Sequence, residues 1–384
     1  MSRDAWRELV AEVAAATGLP AGWQAVMESV PRADYVPPEV FVPEAGSGRR
    51  YRAVRRDTTP EEWLALVCSR EPVITQLRPS LFDGAPAPSS SSSAPVAVAR
   101  MLALLDASPG ERVLDLGSGT GWTAALLSAA GARVVSVEAD PELAARVQAL
   151  LDGRRPPVTA LCADAVSGHP PGAPYDALHA GFAVRDRIPV AWIDQVRDGG
   201  RIVVPFGSLF ANTGLVRLTV HDGAAEGHFA GAVSFMWERG QLPRWPDPAQ
   251  AAAVRSASAV NPRDVLATGA SRWAVGLQVP DVTYDPVPAR GDRLLRLWSI
   301  DGSWAAVAVD DWSSPRAVAQ HGPRRVWDEV CAAWQWWEER GRPGRSRFGI
   351  TARRTGSCHA WLDSPAVPLP RHAPSADPVD EPLP

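Results

Sequence analysis

A chain of 384 residues, 46% apolar and 21% charged, is long enough for two or three domains and has the composition of a soluble globular protein. All 39 basic residues are arginine. That excludes Schiff-base, phosphate-loop and kinase-type lysine chemistry, and a net charge of −4 argues against a nucleic-acid partner.

Residues 1–14 read as an amphipathic helix and not as a signal peptide. No run approaches the roughly 18 apolar residues of a membrane span, so a cytoplasmic protein with no membrane partner is expected. A Pro-rich patch follows at 31–43 and an apolar helical stretch at 61–68. Serines 89–92 of the run 89–93 read as a flexible loop, leading into a helix over 95–106 with Pro95 in its first turn. Strand-like and helix-like runs then alternate to about residue 206, the pattern of a parallel sheet covered by helices. Apolar runs at 214–220 and 228–235 flank the Asp222-Gly223 turn and predict an antiparallel hairpin at the sheet's edge.

A Pro- and Ala-rich linker at 242–262 precedes a region of different texture, since eleven of the 16 tryptophans lie at or beyond Trp237. There a second hairpin is expected, 294–300 with 304–309 about Asp301-Gly302-Ser303, followed by a helix over 324–340 with one greasy stripe. The Pro-rich, acidic-polar residues from Asp363 predict disorder. The expected domains are an N-terminal extension (1–88), a nucleotide-binding core (89–236), a linker (237–262), an α+β Trp-rich accessory domain (263–362) and a disordered tail (363–384). Cys68, Cys162, Cys331 and Cys358 are far apart, which reads as free thiols. Neither the histidines nor the adjacent Cys358-His359 pair has metal-ligand spacing, so no metal is expected.

The strongest motif is Arg112-Val-Leu-Asp-Leu-Gly-Ser-Gly-Thr-Gly-Trp122, an apolar strand running through Asp115, Gly117, Ser118, Gly119, Thr120 and Gly121 into a helix. Glycines at such a turn let a ligand approach the backbone, and the helix N-terminus offers free N–H donors. A second strand, 133–138, ends in Glu138, an acid placed to hold ribose hydroxyls. The third glycine comes one residue too early for the dinucleotide pattern, and a glycine-rich turn of some other Rossmann-like protein is the plain alternative. The pattern resembles the class I S-adenosylmethionine-dependent methyltransferases, an α/β Rossmann-like fold. That resemblance implies S-adenosylmethionine as cofactor, Asp115 and the glycine loop around its methionine part, Glu138 on the ribose and Asp164 near the adenine.

The block Tyr175-Asp-Ala-Leu-His-Ala-Gly-Phe182 replaces the Asn/Asp-Pro-Pro-Tyr/Phe element of amino-directed enzymes, which makes nitrogen an unlikely acceptor. His179 is either a base or a hydrogen-bonded histidine at a strand end. Val30-Pro-Arg-Ala-Asp-Tyr-Val-Pro37, Ser93-Ala-Pro-Val-Ala-Val-Ala-Arg-Met101 and the run from Pro174 to Pro205 are similar to ordered elements of the protein-L-isoaspartate O-methyltransferases. The resemblance covers roughly residues 20–235. A carboxylate, ionised at neutral pH with a reference pKa of about 4, needs no general base to take a methyl group. The resemblance implies that Ser93 holds the substrate carboxylate at the helix N-terminus. The alternatives are that Ser93 only caps the helix, or that Ser92 is the functional serine.

The chain continues for 149 residues past Phe235 and carries an insert at 77–92. These departures resemble the branch that matures ribosomally made peptides, in graspetide and lanthipeptide systems, by methylating an aspartate of a cyclised precursor to yield aspartimide or isoaspartate. A precursor peptide is then the expected partner, with Thr75, Gln76, Ser92 and His179 as substrate-side candidates. Arg78, Arg185 and Arg187 either meet an acidic peptide or form a solvated face, and the tryptophans either bind peptide or fill a core. A general repair enzyme and a methyltransferase-like scaffold or small-molecule enzyme remain the competing readings.

Overall fold

A computed structural model describes residues 3–44, 46, 50–80, 84–241, 253–285 and 294–371. The N-terminal part contains α1 (Arg3–Thr17), α2 (Ala21–Ser29), β1 (Glu39–Pro43), β2 (Tyr51–Arg55), α3 (Pro60–Val67), β3 (Val73–Pro79) and β4 (Pro86–Ser92). Its strands form an antiparallel sheet in the order β2-β1-β3-β4, closed by α3 through Trp63 and Val67 against Val40 and Val54. The serine run is therefore not a loop. It is the outer strand of a hairpin, held by pairs such as Val73 with Ser92 and Leu77 with Pro88.

The central part runs α4 (Pro95–Leu105), β5 (Arg112–Leu116), α5 (Trp122–Ala129), β6 (Arg133–Glu138), α6 (Pro141–Leu151), β7 (Val158–Cys162), β8 (Tyr175–Ala180), β9 (Val184–Arg185), α7 (Val190–Gln195), β10 (Val196–Gly207), β11 (Gly214–His221) and β12 (Ala224–Gly231). β5 to β8 are parallel, β10 is parallel to β8, and β11 and β12 return antiparallel. This is the class I methyltransferase fold, with helices on both faces covering the apolar side chains of the central strands. α6 begins on a strong signal: Asp140 accepts from the Glu142 and Leu143 amides and Pro141 sets the first turn.

The C-terminal part contains β13 (Val254–Ser256), α8 (Pro262–Leu266), α9 (Gly269–Gln278), β14 (Val282–Tyr284), β15 (Leu294–Ser299), β16 (Trp304–Ala308), β17 (Val318–His321), α10 (Val326–Glu339), β18 (Phe348–Arg353) and β19 (Cys358–Leu362). β13 to β17 make their own sheet, in the order β13-β17-β16-β15-β14. β18 and β19 return to the main sheet, which reads β19-β18-β12-β11-β10-β8-β5-β6-β7 with β9 beside β10. The hairpin of β11 and β12 is thus interior to the sheet, not at its edge. Trp361 seals the addition by lying over Gly349, where a Cβ would meet its ring at 2.1 Å, and by donating to Thr351, which donates to Glu226.

α1, α2, α4 and α5 cover one face around Trp6, Met27, Leu102 and Leu126, while α7, α9 and α10 bring Trp192, Trp273 and Trp337 to the other. Trp273, Trp327, Trp337 and Trp361 are all buried, which makes these four core residues. Truncating any one to alanine would cost about 3–5 kcal/mol. Residues 363–371, expected in a disordered tail, fold back instead: Leu369 is buried and its amide bonds Ala360. The rest of that tail, 372–384, and residues 242–252 of the expected linker lie outside the described residues.

Candidate active site

A cavity of about 730 Å³ opens where the carboxyl ends of β5, β6 and β8 face the start of α4, the position at which open α/β sheets bind ligands. One wall is built by the strand ends. Gly117, Gly119 and Gly121 take left-handed φ values of 78°, 54° and 82°. A Cβ on Gly117 would lie 2.7 Å from the Phe182 ring, so this turn accepts no side chain there. Glu138 accepts from the Gly119 amide at 2.9 Å and from the Asp140 amide at 3.1 Å. Glu138, Asp164, His179 and residues 117–120 all border the cavity, whereas Asp115 and Gly121 stand behind the wall.

Asp115 is 1% exposed and fully engaged from within. Its Oδ1 is 2.8 Å from His179 Nδ1, and its Oδ2 accepts from Ser136 Oγ at 2.6 Å, with Ser118 Oγ 2.6 Å further on. It braces the loop and His179 from behind and does not border the cavity. His179 keeps Nε2 without a partner among the described residues. Asp164 caps a short turn by accepting from the Val166 amide at 3.0 Å.

The opposite wall comes from β4, the first turn of α4 and residues 232–239. The N-cap of α4 is Ala94, with no side-chain cap, so Ser93 does not cap the helix. Ser93 borders the cavity, and its hydroxyl makes no hydrogen bond among the described residues. Ser92 points away: it is 1% exposed, and its Oγ is buried without a partner. Thr75 and Gln76 do not border the cavity either. Thr75 donates to Ser90 Oγ, and Gln76 accepts from Ser89 and donates to Asp140 Oδ2 at 3.1 Å. Arg78 joins them with a 2.5 Å ion pair to the same oxygen.

The β3–β4 hairpin is thereby latched to the N-terminus of α6. Burial would raise the Asp140 carboxyl, but hydrogen bonds from Gln76, Arg78 and the Leu143 amide outweigh it and hold Asp140 below the ordinary carboxylate value. Arg185 also has partners, Asp281 at 3.2 Å and Asp186 at 3.4 Å, away from the cavity; Arg187 is exposed. Residues 232–235 belong to the run expected to form a strand, and the structure differs for 232–236. They leave the sheet at Gly231, where β12 ends, and run along the cavity, a contribution that no periodicity announced. Among the described residues no cluster of three or more His, Cys, Asp or Glu is placed to hold a metal, and no helix is long and apolar enough to cross a membrane.

The wall of strand ends suits a nucleoside ligand. The glycine turn leaves backbone exposed, Glu138 offers carboxylate oxygens at the tip of the second strand, and Asp164 stands at the tip of the third. The model of the family described as protein-L-isoaspartate (D-aspartate) O-methyltransferase matches residues 74–236. A protein-L-isoaspartate O-methyltransferase of Methanoculleus marisnigri is 39% identical over 153 residues, 39% of this chain and 68% of the relative. One of Koribacter versatilis is 34% identical over 163 residues, 41% of this chain and 72% of the relative. For other curated relatives, from Aeropyrum pernix and Shewanella sediminis, the chain spans about half of their length. A solved structure titled protein-L-isoaspartate O-methyltransferase shares the fold at a TM-score of 0.52 and 17% identity, over 94% of this chain and all of its own.

Proposed function

Because the chain belongs to the protein-L-isoaspartate O-methyltransferase family, we propose that it is an S-adenosylmethionine-dependent carboxyl O-methyltransferase acting on isoaspartyl residues of proteins or peptides. The observation that carries this reading is the single cavity bordered both by the glycine turn with Glu138 and by the unpartnered hydroxyl of Ser93.

When bound, S-adenosylmethionine supplies a methyl group on a sulfonium. Gly117 to Thr120 would cradle it, Glu138 would take the ribose hydroxyls and Asp164 the adenine side. Ser93 donates its hydroxyl to one oxygen of the substrate carboxylate, and the positive end of α4 favours the anion. The other oxygen is left free to act as the nucleophile toward the methyl group that the bound cofactor would supply. No proton moves, so Ser93 and α4 act by orientation. His179, tied to Asp115, stands ready to donate from Nε2 when protonated or to accept when neutral.

A second reading, methylation of an ordinary aspartate in a cyclised precursor peptide on the way to aspartimide, is favoured by the β3–β4 hairpin, whose residues 88–91 border the cavity. Chain length does not support it, because a structure titled as an isoaspartate methyltransferase matches 94% of this chain. Mass spectrometry of three peptides incubated with protein and S-adenosylmethionine separates the readings. The repair reading predicts one added methyl on a linear isoaspartyl peptide and none on its aspartyl twin. Methylation of a cyclised aspartyl peptide alone would overturn it in favour of maturation.

A further inference from the structure

Arg32 lies in the segment Val30 to Pro37, does not border the cavity, and is 0% exposed. A buried guanidinium ordinarily needs a carboxylate, yet among the described residues none pairs with it. All five of its N–H donors go to backbone carbonyls instead. Nε bonds Val67 at 2.8 Å, Nη1 bonds Glu71 at 2.9 Å and Ser93 at 3.0 Å, and Nη2 bonds Leu66 at 3.2 Å and Ser69 at 3.0 Å. Leu66 and Val67 end α3, where carbonyls lack helical partners and the helix dipole is negative. Burial lowers the Arg32 pKa to about 10, which still leaves it charged at neutral pH.

The same segment is tied to the cofactor side. The Val30 carbonyl accepts from Trp122 Nε1 at 2.9 Å, directly after the glycine turn, and the Tyr35 carbonyl accepts from Arg146 on α6 at 2.7 Å. The segment is thus fixed to the helices that carry the cofactor wall, and Arg32 reaches from it to the backbone of Ser93. We propose that Arg32 is a positioning residue that sets Ser93 at a fixed distance from the cofactor wall, through the bond from its Nη1 to the Ser93 carbonyl. This rests on the reading of Ser93 as the group that holds the substrate carboxylate.

Lysine keeps the charge but has only three donors on one atom and cannot span five carbonyls. A displacement of the order of 1 Å at an orienting group suffices for a large loss of rate. The test is a double-mutant cycle of Arg32→Lys and Ser93→Ala on the full chain, read by kcat and KM for an isoaspartyl peptide, cofactor affinity and thermal midpoint. Arg32→Lys is expected to lower kcat about tenfold with cofactor affinity within about twofold. In the Ser93→Ala background it is expected to cost less than about twofold more. Equal losses in both backgrounds, or full kcat in Arg32→Lys, would overturn the positioning role. If Ser93→Ala alone leaves kcat intact, the reading of Ser93 fails instead. Should Arg32→Lys not fold, Arg32→Gln carries the same cycle, and failure of both to fold would overturn positioning in favour of a purely structural role.

Discussion

The two walls of the cavity are built on opposite plans. On the cofactor wall the polar groups are braced from within: Asp115 by His179 and Ser136, Glu138 by two backbone amides. On the facing wall the Ser93 side chain has no partner among the described residues, and 232–236 lie outside the strands of the sheets. That wall is held from behind, by Arg32 at the Ser93 carbonyl and by Asp140 at the hairpin. Under the proposed function, the contrast assigns cofactor binding to groups on rigid strand ends and substrate orientation to anchors outside the cavity.

The sharpest break in that contrast is Glu138→Ala. It removes the expected ribose contact and strands the buried Asp140 amide and the part-buried Gly119 amide, so cofactor affinity measured by calorimetry should fall about 100-fold and the thermal midpoint should drop as well. Ser93→Ala should lower kcat about 10- to 100-fold, the worth of one charge-assisted hydrogen bond. Its thermal midpoint should stay put, because the hydroxyl has no partner to lose. Arg78→Ala unlatches the hairpin and should raise the peptide KM a few-fold, with stability falling by about 1 kcal/mol or less since Arg78 is half exposed.

The latch also carries a pH signature. Asp140 has its pKa depressed, so its contribution is present above about pH 4 and is lost as the pH falls through the folded value. Acid unfolding curves of Arg78→Ala should therefore converge on those of the parent at low pH.

The smallest expected effect lies outside both walls. Burial pushes Asp186 up to about 7, above its unfolded value of about 4, so stability present at pH 4 is lost as the pH rises toward 7. Asp186 has a φ of 62°, which asparagine tolerates. Asp186→Asn should raise the thermal midpoint at pH 8 and leave it unchanged at pH 4.

The cofactor wall was legible in the sequence because its signals are local. Apolar strands, a glycine turn and an acid at the next strand's end all fall within the 27 residues from Arg112 to Glu138. The facing wall was legible only at the start of α4, where Pro95 marks the first turn. Proline and serine have low strand propensity, so β4 exists because β3 pairs with it, a tertiary cause invisible in residues 86–92. The same holds for β18, which reaches β12 across more than a hundred residues, with Ala224 opposite Arg353. Asp140-Pro141-Glu142 reads as a helix start, but nothing in it reveals that Arg78 will land on Asp140.

Cofactor affinity and single-turnover methyl transfer to an isoaspartyl peptide, measured together for Glu138→Gln and Ser93→Ala, test the division of labour most directly. The account predicts that Glu138→Gln weakens cofactor binding while the rate at saturating cofactor stays near the parent's. It predicts that Ser93→Ala binds cofactor as the parent does and transfers the methyl group at least about tenfold more slowly. A Ser93→Ala protein with weakened cofactor binding and an unchanged transfer rate would contradict it.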